Sequence, residues 1–171
     1  HIGKLHKLIG ENNSPSRNPS PLTVVSGLEA LTIDQDNRPI IVGERTNVLG
    51  SRKFKRLIAE GKIEEASEIG RHQVRSGAHI LDICLQDPDR DEITDMSSFL
   101  EILRRKIKAP LIVDSTSDEV IEEALKRTPG KSIINSINLE DGEERFNTVV
   151  PIAKRYGAAL IVGCIDDDKL Q

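Results

Sequence analysis

The sequence contains no Trp, one Tyr and three Phe in 171 residues. Stacking platforms for exposed bases need several well-placed rings, so a single-stranded nucleic-acid binder is disfavoured. Cysteine is equally scarce: Cys84 and Cys164 stand far apart with no CxxC spacing, which supports neither a disulfide framework nor a zinc ribbon. No apolar run approaches the roughly 20 residues that span a bilayer, and the N-terminus (HIGKLHKLIGENN) has no signal-peptide core, so the reading is a cytoplasmic protein with no membrane partner. Neither G-x-G-x-x-G nor G-x-x-x-x-G-K-[ST] occurs, which removes the usual support for dinucleotide or nucleoside-triphosphate binding. Charge of one sign is lacking too. The 24 basic residues are spread among 28 acidic ones, giving a net charge of -4 and no basic stripe for nucleic acid.

What is present is an alternation. Glu11 to Pro21 is rich in Pro, Ser and Asn and reads as a linker following a short amphipathic helix over His1 to Ile9. From Pro39 onward, short apolar runs alternate with polar, helix-patterned segments. The division is therefore residues 1–38 as the end of an upstream domain plus linker, and residues 39–171 as one α/β domain. Five runs have the length of buried parallel strands: Ile40 to Gly43, His79 to Ile83, Pro110 to Val113, Ser132 to Ile134 and Ala158 to Val162.

Four crossover helices are expected between them. The first carries Ile63, Ala66, Ile69, Gly70 and Val74; the second runs from Ile93 through Ile107 and ends at Pro110. Thr116-Ser117-Asp118-Glu119 resembles a capping box opening the third. The fourth spans about Asp141 to Tyr156, with Pro151 expected to kink or divide it. Such a series fits either a doubly wound sheet or the first part of a (β/α)8 barrel, and periodicity does not choose.

Both folds bind ligands at the C-terminal ends of their strands, so polar residues there carry the most information. The first strand ends in Glu44-Arg45-Thr46-Asn47, the second in Asp82-Ile83-Cys84, the third in Asp114-Ser115 and the fourth in Asn135-Ser136-Ile137-Asn138. A carboxylate accepts paired hydrogen bonds from an amino-pyrimidine edge, and an Asn amide both donates to and accepts from a lactam. A pterin offers both edges. The plainer alternative is that these residues cap the following helices, as Asp114-Ser115 could. Cys84 has no His near it in sequence and reads as filler rather than nucleophile. The His residues form no metal cluster, and Asp166-Asp167-Asp168 reads as a solvated loop.

The string Val42-Gly43-Glu44-Arg45-Thr46-Asn47-Val48-Leu49-Gly50-Ser51, with Lys53 to Ile58 after it, closely resembles the opening of the pterin-binding domain of cobalamin-dependent methionine synthases. The similarity continues through Gly77 to Ile83, Ile112 to Ser115, Ile134 to Ile137 and Arg155 to Ala159, and Ser26 to Leu31 resembles the lead-in from that family's homocysteine domain. The resemblance implies a TIM-like (β/α)8 barrel of the dihydropteroate synthase type, truncated after about five strands, since a complete barrel takes about 250 residues.

It also implies a methyltransferase segment of methionine biosynthesis that binds 5-methyltetrahydrofolate and passes the methyl group to cob(I)alamin on a separate cobalamin-binding domain. Zinc would belong to the homocysteine domain, with no metal in this chain. Carried over by motif, Asp114 and Asn135 bind the pterin ring, Asp82 supports its polar edge, and Glu44 and Asn47 line the same mouth. Asn135 is the candidate catalytic residue, assisting at N5 by hydrogen bonding, and Arg45 and Ser115 stand behind. The family often has Asn where this chain has Cys84, so a polar contact there is lost or replaced. Alternatives are a dihydropteroate synthase, a corrinoid-protein methyltransferase or a noncatalytic half-barrel. Turnover by the isolated chain is not expected, and open strand edges are expected to drive self-association.

Overall fold

The computed structural model describes residues 22–139 and 143–166. The proposed upstream helix and the Glu11 to Pro21 linker lie outside them, as do Asp167 and Asp168, whereas Asp166, expected in a solvated loop, ends the last strand in register with Leu139. An antiparallel hairpin, β1 (Thr23–Ser26) and β2 (Ala30–Ile33), comes first. The main body follows in the order β3 (Val42–Asn47), α1 (Arg52–Ala59), α2 (Ile63–Arg75), β4 (Ile80–Cys84), α3 (Glu92–Leu103), β5 (Leu111–Asp114), α4 (Asp118–Arg127), β6 (Ile133–Leu139), α5 (Glu144–Tyr156) and β7 (Ala159–Asp166).

The five long-range strands pair in parallel and in sequence order, β3-β4-β5-β6-β7. That order decides between the two folds left open by periodicity. A doubly wound sheet reverses direction at a switch point, whereas right-handed crossovers taken always to the next strand leave every helix on one side and curl the sheet into a barrel. Each helix packs against the next around the outside. The structure is thus an α/β fold forming five strands of a TIM-like barrel.

Side chains of a strand alternate between its two faces, and this period sorts the whole core. Leu81, Ile83, Val113 and Ile134 point outward into the helical layer, joining Phe54, Phe99, Leu100, Leu103 and Ile121. Phe54 and Phe99 meet edge to face with ring centroids 5.0 Å apart. The opposite parity, Ile80, Ile112 and Ile133, forms a separate inner cluster with Val25 of the hairpin.

The hairpin lies within the segment read as a lead-in, and the sequence reading assigned it no strands. It closes the N-terminal end of the barrel: Ser26 N donates to Lys131 O, Leu28 N to Lys108 O, and Ser26 Oγ accepts from Lys131 N. The approach is so close that a Cβ on Gly27 would stand 2.3 Å from Lys108 O and 2.4 Å from Ala109 O.

Other departures are local. The first crossover holds two helices, because Ser51 caps α1 through a hydrogen bond to Phe54 N and Gly61, at φ 69°, turns the chain into α2. The second helix stops at Leu103, and Ile107 is buried from the loop beyond it. Helix α4 starts one residue later than the capping-box reading, with Ser117 Oγ accepting from Val120 N. Pro151 does not divide α5: the helix runs unbroken to Tyr156 and ends on Gly157 at φ 68°. Pro removes one hydrogen bond, but Val149 and Ala153 on either side of it are buried and hold the helix against its neighbours. Asp141 lies outside the described residues.

Gly27→Ala is expected to lower unfolding free energy by about 1–3 kcal/mol, the usual cost of forcing extra volume into closed packing. Denaturant melts of the two chains measure it, and an unchanged midpoint would show that the hairpin is not pinned there.

Candidate functional site

The inward row of the strands changes character along the barrel axis. Below are Ile80, Ile112 and Ile133; two residues further along the same faces come Asp82, Asp114 and Asn135. In register, Asp82 stands opposite Ile112 and Asp114 opposite Asn135, so the polar row climbs as a stagger across the mouth. In β3, the register shifts between Gly43 and Thr46, which places Asn47 beside Cys84.

Asn47 is the hub. Its Nδ2 donates to Asp82 Oδ2 at 3.0 Å and to Asp114 Oδ2 at 3.3 Å, so one amide bridges the ends of three strands. The other end of that amide is fixed, because Oδ1 accepts from Leu49 N at 2.9 Å and Gly50 N at 3.3 Å. The turn after β3 therefore orients the donor.

Both carboxylates are costly to ionise where they sit. Burial pushes the Asp82 carboxyl up to about 6, the Asn47 hydrogen bond pulls against this, and the nearby Asp114 and Glu44 charges add to it. Asp114 is also raised, chiefly by burial, with Asn47 and the Arg145 charge opposing. Neither serves as a helix cap: the helices that follow them are capped by Asp91 and Ser117, so the capping alternative fails for this pair. Asn135 is half-buried, and its side-chain amide has no hydrogen-bond partner among the described residues.

Glu44 is exposed at the same mouth and acts on the pair through charge. Arg45 does not join it. The register shift in β3 leaves Arg45 on the outer face although it lies only two residues from Asn47, and there it lines a cavity of about 420 Å³ with Ser51, Lys53, Glu65 and His72. Ser115 is buried, and its Oγ accepts from Ser117 N at 3.1 Å. Burial drives the Cys84 thiol up to about 12, which excludes an activated nucleophile. His79 Nδ1 accepts from Ile41 N at the far end of the barrel. Among the described residues no three His, Cys, Asp or Glu side chains are grouped to hold a metal.

Two residues of the mouth escaped the sequence reading. Glu92, in the first turn of α3, has its carboxyl raised by burial, with the Ser115 hydroxyl opposing and the Asp114 charge adding. Acidic residues are ordinary in a first helical turn, so nothing marked it out. Arg145, in the first turn of α5, donates to three backbone carbonyls, those of Ser115 and Thr116 just past β5 and that of Ser136 within β6. A cation there opposes the helix dipole, and that misfit was the available signal.

The chain is thus a TIM-like barrel protein that gathers two bridged carboxylates and an amide at the face where such barrels bind their ligands. The sequence matches the family of pterin binding enzymes over residues 43–171, and the chain belongs to that family.

Asp82 keeps its proton in the folded state through a pH range where the unfolded chain, at about 3.8, has already lost it. Between about pH 4 and pH 6 the folded state binds more protons, so stability falls as pH rises through that window. Asp82→Asn is expected to add about 1–2 kcal/mol at pH 7 and to flatten the slope across that window, as read by denaturant melts at a series of pH values.

Proposed function

We propose that the chain is the folate-binding segment of a cytoplasmic methyltransferase of the methionine synthase type. It holds 5-methyltetrahydrofolate at the mouth and presents the N5 methyl group for transfer to cob(I)alamin on another domain. The observation that carries this reading is the Asn47 bridge, which holds two carboxylates side by side while leaving the Asn135 amide unpaired next to Asp114. Family membership supports the pterin, and the methionine-synthase-like strings from Val42 to Ile58, with the Ser26 to Leu31 lead-in, support the methyl donor.

In this reading Asp114 accepts from the amino-pyrimidine edge, and Asp82 carries the polar contact around the ring. Glu44 and Asn47 line the rim. Asn135 is the candidate catalytic group: its amide hydrogen-bonds N5 and draws electron density from the methyl group, while the proton that N5 takes up as the methyl group leaves comes from solvent at the open mouth. Cobalamin, held by its own domain, supplies the nucleophile that accepts the methyl group. The exposed Glu44 and the open mouth leave room for that domain to approach. The outer edges of β3 and β7 pair with no strand among the described residues and expose Ile41, Val42, Ile161 and Val162, so we also propose association between copies through these edges.

Calorimetric titration with 5-methyltetrahydrofolate tests the site. Asp114→Ala and Asn135→Ala should each weaken binding tenfold or more, since a lost hydrogen bond to a buried polar partner costs about 1–3 kcal/mol. A folded wild-type chain that binds no folate would overturn the reading. Methylcobalamin formed on adding cob(I)alamin, followed by absorbance, separates a methyl donor site from a dihydropteroate synthase site. For association, sedimentation velocity should show a concentration-dependent larger species that Val162→Lys diminishes; a single monomeric boundary at all concentrations would refute it.

A further inference from the structure

Arg145 stands where a cation is least expected, in the first turn of α5, whose aligned peptide dipoles present positive charge. Its guanidinium makes no ion pair among the described residues. It is held instead by three carbonyls: Nε donates to Ser136 O at 2.9 Å, Nη1 to Thr116 O at 2.7 Å and Nη2 to Ser115 O at 2.7 Å. A planar fork of fixed donors can satisfy three acceptors at once, and a lysine ammonium on a flexible stem cannot reproduce that geometry.

The identity of those carbonyls matters. Ser115 and Thr116 directly follow Asp114, and Ser136 directly follows Asn135. Asp114, at the end of β5, and Asn135, within β6, are the last register partners of those two strands, and the β6 register with β7 shifts between Ile134 and Ile137. The β5–β6 ladder thus ends where the site begins, while β6 runs on beside β7 to Leu139. The only described side chain that hydrogen-bonds to the backbone just past both residues is Arg145.

We propose that Arg145 is a positioning residue of the pterin site: it ties the end of β5 to β6 just past Asn135 and so sets the spacing between the Asp114 carboxylate and the Asn135 amide. The proposal rests on the pterin reading given above. A pterin presents its amino-pyrimidine and lactam edges at one fixed separation, and a carboxylate and an amide on two different strands match that separation only if the strands cannot slide or splay. The positive charge has a second effect, opposing the burial that raises the Asp114 carboxyl and so favouring the ionised form that accepts both hydrogen bonds.

The test compares the wild-type chain with Arg145→Gln and Arg145→Lys by three measurements: calorimetric titration with 5-methyltetrahydrofolate, carbon-detected NMR titration of Asp114 together with the Asn135 amide signals, and thermal melts. Gln should weaken binding about tenfold, the effect expected when an orienting partner of a ligand-contacting group is removed, and should shift the Asp114 titration upward. Lys restores the charge without the fork. It should return the Asp114 titration toward the wild-type value while leaving binding weak and the Asn135 amide signals displaced.

A merely structural role predicts lower melting temperatures with unchanged affinity below them, and that result would overturn the proposal. If Arg145→Gln does not fold, Arg145→Lys decides alone: wild-type affinity with unmoved Asn135 signals refutes the clamp. Failure of the wild-type chain to bind 5-methyltetrahydrofolate is a different result. It removes the pterin reading, whereas the ligand-free Asp114 and Asn135 signals of the two variants still report whether the clamp exists.

Discussion

Everything at the mouth of this barrel depends on one constraint, the two-residue period of a parallel strand combined with pairing in sequence order. Once Ile80, Ile112 and Ile133 are committed to the interior, the residues two positions later have no choice of direction. Asp82, Asp114 and Asn135 must converge at the same end. A register slip of one residue would send the three polar side chains into the helical layer and the outward apolar set into the barrel, so the core that stabilises the sheet also enforces the site.

The cost of that convergence falls on the carboxylates. Asp82, Asp114, Glu92 and the exposed Glu44 share a mouth with one amide bridge and the Arg145 guanidinium. The arrangement is less stable than an apolar plug of the same shape would be. That is the pattern expected where a fold keeps polar groups poised for a ligand that will complete their hydrogen bonds.

The parts of the structure visible in the sequence were those written in local pattern. Runs such as Ile80 to Ile83 and Leu111 to Val113 announce buried parallel strands, and the polar residue at each end could be found by counting. The choice of barrel over doubly wound sheet could not be found that way, because strand order is a property of pairing between distant segments. The hairpin was hidden for a related reason: its strands are four residues each, and Val25 is buried only because the floor of the barrel lies against it. Arg45 and Arg145 exchanged roles for purely geometric reasons. The first is adjacent to the site in sequence but turned outward by the β3 register shift, and the second is distant in sequence but placed by α5 beside Ser115 and Ser136. The Asn47 bridge needed both the β3 register shift and the turn that fixes its carbonyl, and neither has a composition of its own.

The hairpin at the floor also has a temporal consequence. Its anchor, the bond between Lys131 N and Ser26 Oγ, closes a loop of 105 residues, and its apolar contacts come from the starts of three successive strands. The earliest described segment of the chain therefore cannot settle until β6 exists to receive it. Such long-range closure slows folding relative to helical bundles of similar size and binds the first and later strands into one cooperative event.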